Sequence, residues 1–281
     1  MSNKPQTSRT LAELHTHSIA SDGQYAPEVV AGRCAELGVK VWSLTDHDTL
    51  DGCLEAAAAA KSHNITFIPG VEVSAREGVS IHVLGYGLDP ENDELSSFFA
   101  ERKELRETRM ERMILATRAA GYDVSIEEVA KIAKGGAMAR PHLARALVQK
   151  GVMQSVQEVF DELLAEGKPG YVASPYMSVP EAIDLIHQFG GVAILAHPAH
   201  YGKDAEIPKW IQRDALDGIE VQHPRHGTSD VERYTKIADS FGVLKTASSD
   251  FHGEAVAPER ELGVTHVPDD WLDALRERLA I

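Results

Sequence analysis

Short apolar runs that end in histidine or a carboxylate recur along this chain. His15-Thr16-His17 and Asp22 follow residues 11–14, Asp46-His47-Asp48 follows 39–44, and Glu72 and His82 follow Val71 and Ile81. His197 then follows 192–196, and Asp250-Phe251-His252 follows 244–247. Each run has the length of a buried strand, and a fold that returns donors to strand C-terminal ends is a barrel with its chemistry on one rim. Nine donors stand in such places: His15, His17, Asp22, His47, Glu72, His82, His197, Asp250 and His252. A lone His-x-His is often polar packing, but that reading would also have to explain the donors at the ends of the other strands.

The donor types select the metal. Imidazole and carboxylate without thiolate suit Mn²⁺, Fe²⁺, Zn²⁺ or Mg²⁺ and argue against an iron–sulfur cluster or a cysteine-based structural zinc site. At three or four donors per ion, nine hold two ions, and three if Glu72 bridges. Such a site can clamp both the attacking and the leaving oxygen of a phosphoester.

Strand-like and helix-like segments alternate outside one stretch. A helix opened by Pro27 and closed by Gly38 follows the first strand, and 39–45, 50–64, 65–69, 71–74 and 81–86 read as strand, helix and three short strands. From about 90 to 170 no strand signal occurs; 94–120, 125–133, 141–150 and 156–165 read as helices. The alternation resumes with a helix over 178–190, strands over 192–195, 218–221 and 244–247, and a helix over 229–241. Counting 71–74 and 81–86 as one edge unit gives seven strand positions in a mainly parallel, nearly closed α/β sheet. The expected organisation is a flexible tail (1–10), a barrel (11–90 and 170–281) and a helical insertion over the site (91–169).

A formal net charge of −15 speaks against general polyanion affinity, so neither double-stranded DNA nor a long duplex is an expected partner. Any phosphate must be met by bound metals and a few placed arginines. Cys34 and Cys53 have no metal-finger or redox spacing and read as reduced fillers. Residues 1–10 lack an apolar core, and no later run approaches a membrane span of about 18 residues, so a soluble cytoplasmic protein is expected, without a membrane or obligatory protein partner.

Several residues beside the donors invite roles. Strand alternation sends His47 to the pocket and leaves Asp46 and Asp48 to orient imidazoles, with Glu13 a candidate for the same task. Arg140-Pro141-His142 opens a helix, where free N–H groups and the dipole favour an anion and arginine adds a bidentate donor. Lys168, in Gly167-Lys168-Pro169-Gly170-Tyr171, is a weaker candidate of the same kind. Arg225 and His226 fall on the expected rim, as a substrate contact and a proton donor. Arg106, Arg109 and Arg112 recur in a glutamate-rich helix, where ion pairs on a solvated face are the ordinary outcome. His63, His187 and His266 lack strand-end context.

His15-Thr16-His17-Ser18, Ser21-Asp22-Gly23, Thr45-Asp46-His47-Asp48, Gly70-Val71-Glu72-Val73-Ser74, Ile81-His82-Val83-Leu84-Gly85, Ala196-His197-Pro198 and Ser249-Asp250-Phe251-His252-Gly253 together resemble the PHP (polymerase and histidinol phosphatase) phosphoesterases over nearly the whole chain. Arg140-Pro141-His142 and the segment 167–172 resemble the bacterial branch that holds nucleoside bisphosphate phosphatases and 5′-to-3′ exoribonucleases. The resemblance implies a distorted (β/α)7 barrel with a trinuclear site, manganese being the first expectation. His15, His17, Glu72 and Asp250 would hold one ion, Glu72, His82 and His197 a second, and Asp22, His47 and His252 a third. Glu13 departs from the family, which usually has Asp there. The implied activity is metal-dependent hydrolysis of the 3′-phosphoester of 5′-phosphorylated nucleotides, in nucleoside bisphosphates or short RNA, with no protein nucleophile. Arg140, His142 and Lys168 would grip the 5′-phosphate. The rivals are a phosphatase for a small metabolite such as histidinol phosphate, which would not need the insertion, and a non-catalytic metal-binding module.

Overall fold

A computed structural model describes residues 11–133, 138, 140–173 and 176–281. Seven strands form one sheet in chain order: β1 Ala12–Glu13, β2 Val41–Leu44, β3 Thr66–Glu77, β4 Val79–Tyr86, β5 Val192–Leu195, β6 Gly218–Gln222 and β7 Leu244–Ala247. β1, β2 and β3 are parallel, as are β5, β6 and β7, while β4 runs antiparallel to both of its neighbours. The expected strands at 65–69 and 71–74 are one continuous strand, and the 81–86 segment is an inner strand of the sheet rather than part of an edge unit.

The sheet closes on itself through side chains as much as backbone. His17 N donates to Phe251 O at 2.8 Å beside a parallel bridge from Thr16 to Phe251. Leu14 N and His15 N both donate to Ser248 Oγ, at 3.0 and 2.8 Å. Glu13, fully buried, accepts from Ser248 Oγ, Ser249 N, Ser249 Oγ and Gly263 N. Glu13 therefore seals the β1–β7 seam; it does not orient an imidazole as the sequence suggested.

Strand alternation sorts the core into two faces. Register places Glu72 opposite Leu84, and Leu84 opposite Ile194, so Glu72 shares a face with the inner apolar cluster of Leu14, Ile68, Leu84, Tyr86 and Ile194. The other parity, including Val71, Val73, Val83, Leu195 and Ile219, packs with Ile183 and Ile186 of a surrounding helix. At Gly218 an added Cβ would meet Leu244 O at 2.6 Å, so no larger residue fits between β5 and β7 there.

The barrel helices are α1 Pro27–Leu37, α2 Cys53–Ser62, α7 Val179–Gln188, α8 Ile207–Asp214, α9 Thr228–Phe241 and α10 Asp269–Leu279. Gly38 ends α1 at φ 80°, a left-handed cap that glycine adopts without Cβ strain, and Ser178 with Glu181 forms a capping box on α7. α8 and α10 were not foreseen. Their burial is Ile207 and Trp210 in one and Leu272 and Leu275 in the other, too few positions to stand out from their polar surroundings.

Residues 100–175 form a second compact unit, apart from the barrel unit of 11–99 and 176–281. It contains most of α3 Asp93–Ala119, with α4 Ile126–Ala133, α5 Arg140–Gln149, α6 Val156–Val159 and a π-turn at Phe160–Leu164, around its own core of Met113, Val129, Leu143, Leu147, Val159 and Leu163. The unit starts later than 91 because Leu95 and Phe99, in the first turns of α3, bury in the barrel's cluster.

Candidate metal centre

Most of the donors converge where strands stop, but Glu72 and His82 stand inside β3 and β4 rather than at the strand ends expected from the sequence. β1 ends at Glu13 and β2 at Leu44, and the turns that follow carry His15, His17 and His47. The backbone at His197 and Asp250 enters the left-handed region, with φ 26° and 53°. Non-glycine residues avoid that region unless their surroundings impose it, and such strain concentrates at functional sites.

His15 Nδ1 faces Glu220 Oε1 at 3.1 Å, which aims Nε2 at a common point. There Nε2 lies 3.1 Å from His17 Nε2, 3.2 Å from Glu72 Oε2 and 3.3 Å from Asp250 Oδ1. His17 Nε2 lies 3.2 Å from each of the same two oxygens. A regular tetrahedron with such edges has its centre about 2 Å from every corner, the length of a zinc bond to imidazole or carboxylate. Asp250 Oδ1 is buried and makes no well-directed hydrogen bond, as do His17 Nδ1, His47 Nδ1 and His82 Nδ1. Buried polar atoms ordinarily have partners, and a cation would supply one here. The donor set fits a divalent metal.

Glu72 links this group to the next. Its Oε1 lies 2.7 Å from His82 Nδ1 and 3.0 Å from His197 Nε2, and its Oε2 lies 3.2 Å from His47 Nδ1. Asp22 faces His252 Nε2 at 3.4 Å and, at 3.7 Å, His17 Nδ1 and His47 Nε2. The donors fall into three overlapping groups: His15, His17, Glu72 and Asp250; His47, Glu72 and His82; and His17, Asp22, His47 and His252, with the donor atoms of each group within 4.8 Å of one another. His197 adjoins them through Glu72. The structure thus brings together all nine donors picked from the sequence, with His17 and His47 each in two groups.

Charge balance in the protein alone is kept by protons. Burial pulls His15 and His17 down, but the Asp250 and Glu72 carboxylates more than reverse it, raising His15 well above the ordinary imidazole value and His17 to about 9. Burial pushes Glu72 and Asp250 up, and the surrounding imidazoles hold both well below the ordinary carboxylate range. His47 is lowered to about 4, by burial and by repulsion from His17 and His82. Metal uptake must displace the protons on His15 and His17.

Residues that sequence reasoning passed over surround these donors. Glu220 is fully buried, and its Oε2 accepts His197 N at 2.8 Å while Oε1 holds His15. His223 Nε2 meets Asp250 Oδ2 at 3.1 Å, and Arg260 Nη1 pairs with the same oxygen. Tyr201 places its hydroxyl 2.9 Å from His197 Nδ1 and accepts His82 N at 3.0 Å. His223-Pro224 repeats the strand-then-His-Pro pattern of His197-Pro198, a signal that could have found it. Glu220, between Ile219 and Val221, reads as the solvent side of an ordinary strand. A cavity of about 440 Å³ opens over the donors, and its wall also includes His200, Tyr201, Arg225, Val256 and Arg260.

The expectation for Asp46 is corrected, and the other side chains singled out from the sequence lie as follows. Asp46 does not orient an imidazole: its carboxylate accepts from Ser18 N and Ser18 Oγ at 2.7 Å and Ser21 Oγ at 2.6 Å, bracing the loop that carries Asp22. Asp48 accepts Ser74 N at 2.8 Å. The alternation argument failed because β2 ends at Leu44, before either residue. Arg225 lines the cavity with its guanidinium paired to Glu259. His226 lies behind His223, its Nδ1 2.9 Å from Val221 O. In the helical unit, Arg140 starts α5 with its guanidinium 5.7 Å from the Phe160 and Tyr171 ring centres, His142 lies in the first turn of α5, and exposed Lys168 sits in a tight loop. Arg109 donates to Val172 O and Ala173 O, Arg112 is exposed, and the side chain of Arg106 lies outside the described residues.

Comparison with known proteins agrees with this geometry. The PHP domain family matches residues 13–188. The chain is 36% identical over 252 residues to the 3′,5′-nucleoside bisphosphate phosphatase of Chromobacterium violaceum, covering 85% of this chain and 86% of that one. It is 33% identical over 250 residues to the 5′-3′ exoribonuclease Rnm of Escherichia coli, covering 85% and 84%. A solved Chromobacterium violaceum structure, described as an amidohydrolase with bound sulfate and no metal, superposes with TM-score 0.66 at 32% identity over 95% of this chain and 96% of that one. With its seven-stranded barrel, its shared-carboxylate donor cluster and these relatives, the chain belongs to the PHP domain family, as a metal-dependent phosphoester hydrolase.

Proposed function

We propose that the chain hydrolyses the 3′-phosphoester of 5′-phosphorylated nucleotides, releasing phosphate from nucleoside 3′,5′-bisphosphates and 5′-mononucleotides from short 5′-phosphorylated RNA, in the 5′-to-3′ direction. The observation that carries this reading is Glu72, whose two oxygens join donor groups placed to hold adjacent divalent ions under one cavity. Two or three ions are expected, manganese first, with iron, zinc or magnesium as alternatives. Bound ions would lower the pKa of water and neutralise charge on a phosphoryl group.

The protein's own residues do the rest. His15, His17, Glu72 and Asp250 fix the deepest donor set, and Glu220 and His223 hold two of those side chains from behind. Arg225 and Arg260 line the cavity beside their carboxylate partners Glu259 and Asp250, and each guanidinium keeps further N–H donors suited to a phosphoester oxygen. The second phosphate is assigned to Arg140, His142 and Lys168 because a helix start with arginine is an anion-binding arrangement. His226 is assigned no substrate contact. The net charge of −15 suits small or short substrates. Similarity to a bisphosphate phosphatase and to an exoribonuclease supports a substrate carrying a phosphate on each side of the sugar.

The test is Mn²⁺-supplemented turnover of a nucleoside 3′,5′-bisphosphate, a short 5′-phosphorylated RNA and histidinol phosphate, with phosphate and mononucleotide products read separately. Phosphate from the bisphosphate and mononucleotides from the RNA are expected. Turnover of histidinol phosphate alone would overturn the reading.

A further inference from the structure

His197 is held at three points. Its backbone N–H donates to Glu220 Oε2 at 2.8 Å, its Nε2 meets Glu72 Oε1 at 3.0 Å, and its Nδ1 meets the Tyr201 hydroxyl at 2.9 Å. The 3-10 turn Pro198–His200 folds Tyr201 back over the histidine, with ring centres 5.5 Å apart. The same hydroxyl accepts the backbone N–H of His82 at 3.0 Å, and His82 Nδ1 lies 2.7 Å from Glu72 Oε1. One phenol thus ties together two histidines, from β4 and from the end of β5, that face one carboxylate oxygen. The backbone of His197 sits at φ 26°, a conformation that persists only where its surroundings impose it.

The chemistry of the tie differs from that at His15, whose Nδ1 faces a carboxylate. With Nε2 hydrogen-bonded to Glu72, a neutral His197 carries its proton on Nε2 and its Nδ1 accepts from the Tyr201 O–H. A hydroxyl can donate or accept; a carboxylate can only accept.

We propose that Tyr201 is a positioning residue for the donors around Glu72 Oε1: its hydroxyl holds the His197 ring and the His82 backbone together beside that oxygen. The proposal rests on the multi-ion reading above. Its consequence is selective, because the deepest donors have other supports, Glu220 on His15 and His223 on Asp250.

The test compares wild type and Tyr201→Phe, both stripped of metal, by Mn²⁺ titration calorimetry with chelator competition and by thermal unfolding of the metal-free proteins. The Phe variant keeps the ring and loses the hydroxyl. One binding step is expected to weaken about 10- to 100-fold, the usual effect of removing a ligand's outer hydrogen-bond partner, with the other steps unchanged and the metal-free protein still unfolding in one cooperative transition at a modestly lower temperature, because the His82 N–H and His197 Nδ1 lose a partner. Steps identical to wild type, or all steps weakened alike, would overturn the role of Tyr201. Uptake of a single ion by wild type would instead overturn the multi-ion reading, and the affinity of that ion in Tyr201→Phe would still decide the role of Tyr201.

Discussion

Removing the metal and raising the pH from 6.5 to 9 should destabilise the protein through His17. The imidazole is buried with Glu72 Oε2 and Asp250 Oδ1 each 3.2 Å from Nε2, which raises its pKa from 6.5 to about 9. Below pH 6.5 the folded and unfolded chains both hold the proton and the full stabilisation is present. Between 6.5 and 9 the unfolded chain releases it and the folded chain does not, so stability falls steadily; above 9 the contribution is gone. At about 1.4 kcal/mol per pKa unit the loss is on the order of 3 kcal/mol, or roughly 6–12 °C in Tm for a chain of this size. His15, raised in the same direction, adds to it. Glu72 and Asp250 are lowered, so their contributions are lost only as pH falls through the acid range and do not enter this window. The assay is thermal unfolding of chelator-stripped wild type and His17→Asn across that pH range, read as the difference between them. Once metal is bound the donors are already deprotonated, so the stabilisation by added Mn²⁺ should grow as pH rises. A wild-type minus His17→Asn difference that stays flat from pH 6.5 to 9 would refute the argument.

Glu220→Gln keeps the shape but removes the charge that holds His15 and the His197 backbone, and should lower metal affinity and kcat/KM about 10- to 100-fold; unchanged affinity in Mn²⁺ titration would show that Glu220 is packing alone. Gly23→Ala places a Cβ 2.5 Å from His17 O, a backbone atom that cannot swing away, so the loop carrying Asp22 must shift. The variant should lose affinity for the ion at Asp22, His47 and His252 first, seen as a change in one step of the titration. Arg140→Ala should raise KM for 5′-phosphorylated substrates about 10- to 100-fold, the worth of one charge-assisted hydrogen bond; an equal loss on a simple aryl phosphate, in parallel steady-state assays, would remove Arg140 from 5′-phosphate binding.

The candidate donors were legible because metal chemistry demands particular side chains: His15, His17, His47, His197, Asp250 and His252 announce themselves where a strand gives way to a turn, and Glu72 and His82 as polar residues inside apolar strands. The residues that hold those donors were not. Glu220 and Tyr201 carry no local signal, since a glutamate inside a five-residue strand or a tyrosine after a turn is ordinary until the barrel folds it against a histidine from another strand. Asp46 shows the converse: its motif suggests an imidazole partner, and the fold sends it to Ser18 and Ser21 instead.

Sequence by itself singled out the nine candidate donors, the barrel class and the helical stretch, because each is written in residue type and local periodicity. Tertiary structure alone decided which donors share Glu72, that β4 runs antiparallel inside the sheet, and that Glu13 closes the seam while Glu220 and Tyr201 hold the histidines. Those outcomes depend on contacts between residues far apart in the chain, such as Glu13 with Ser249 or His197 with Glu72, whose pairing no local pattern records.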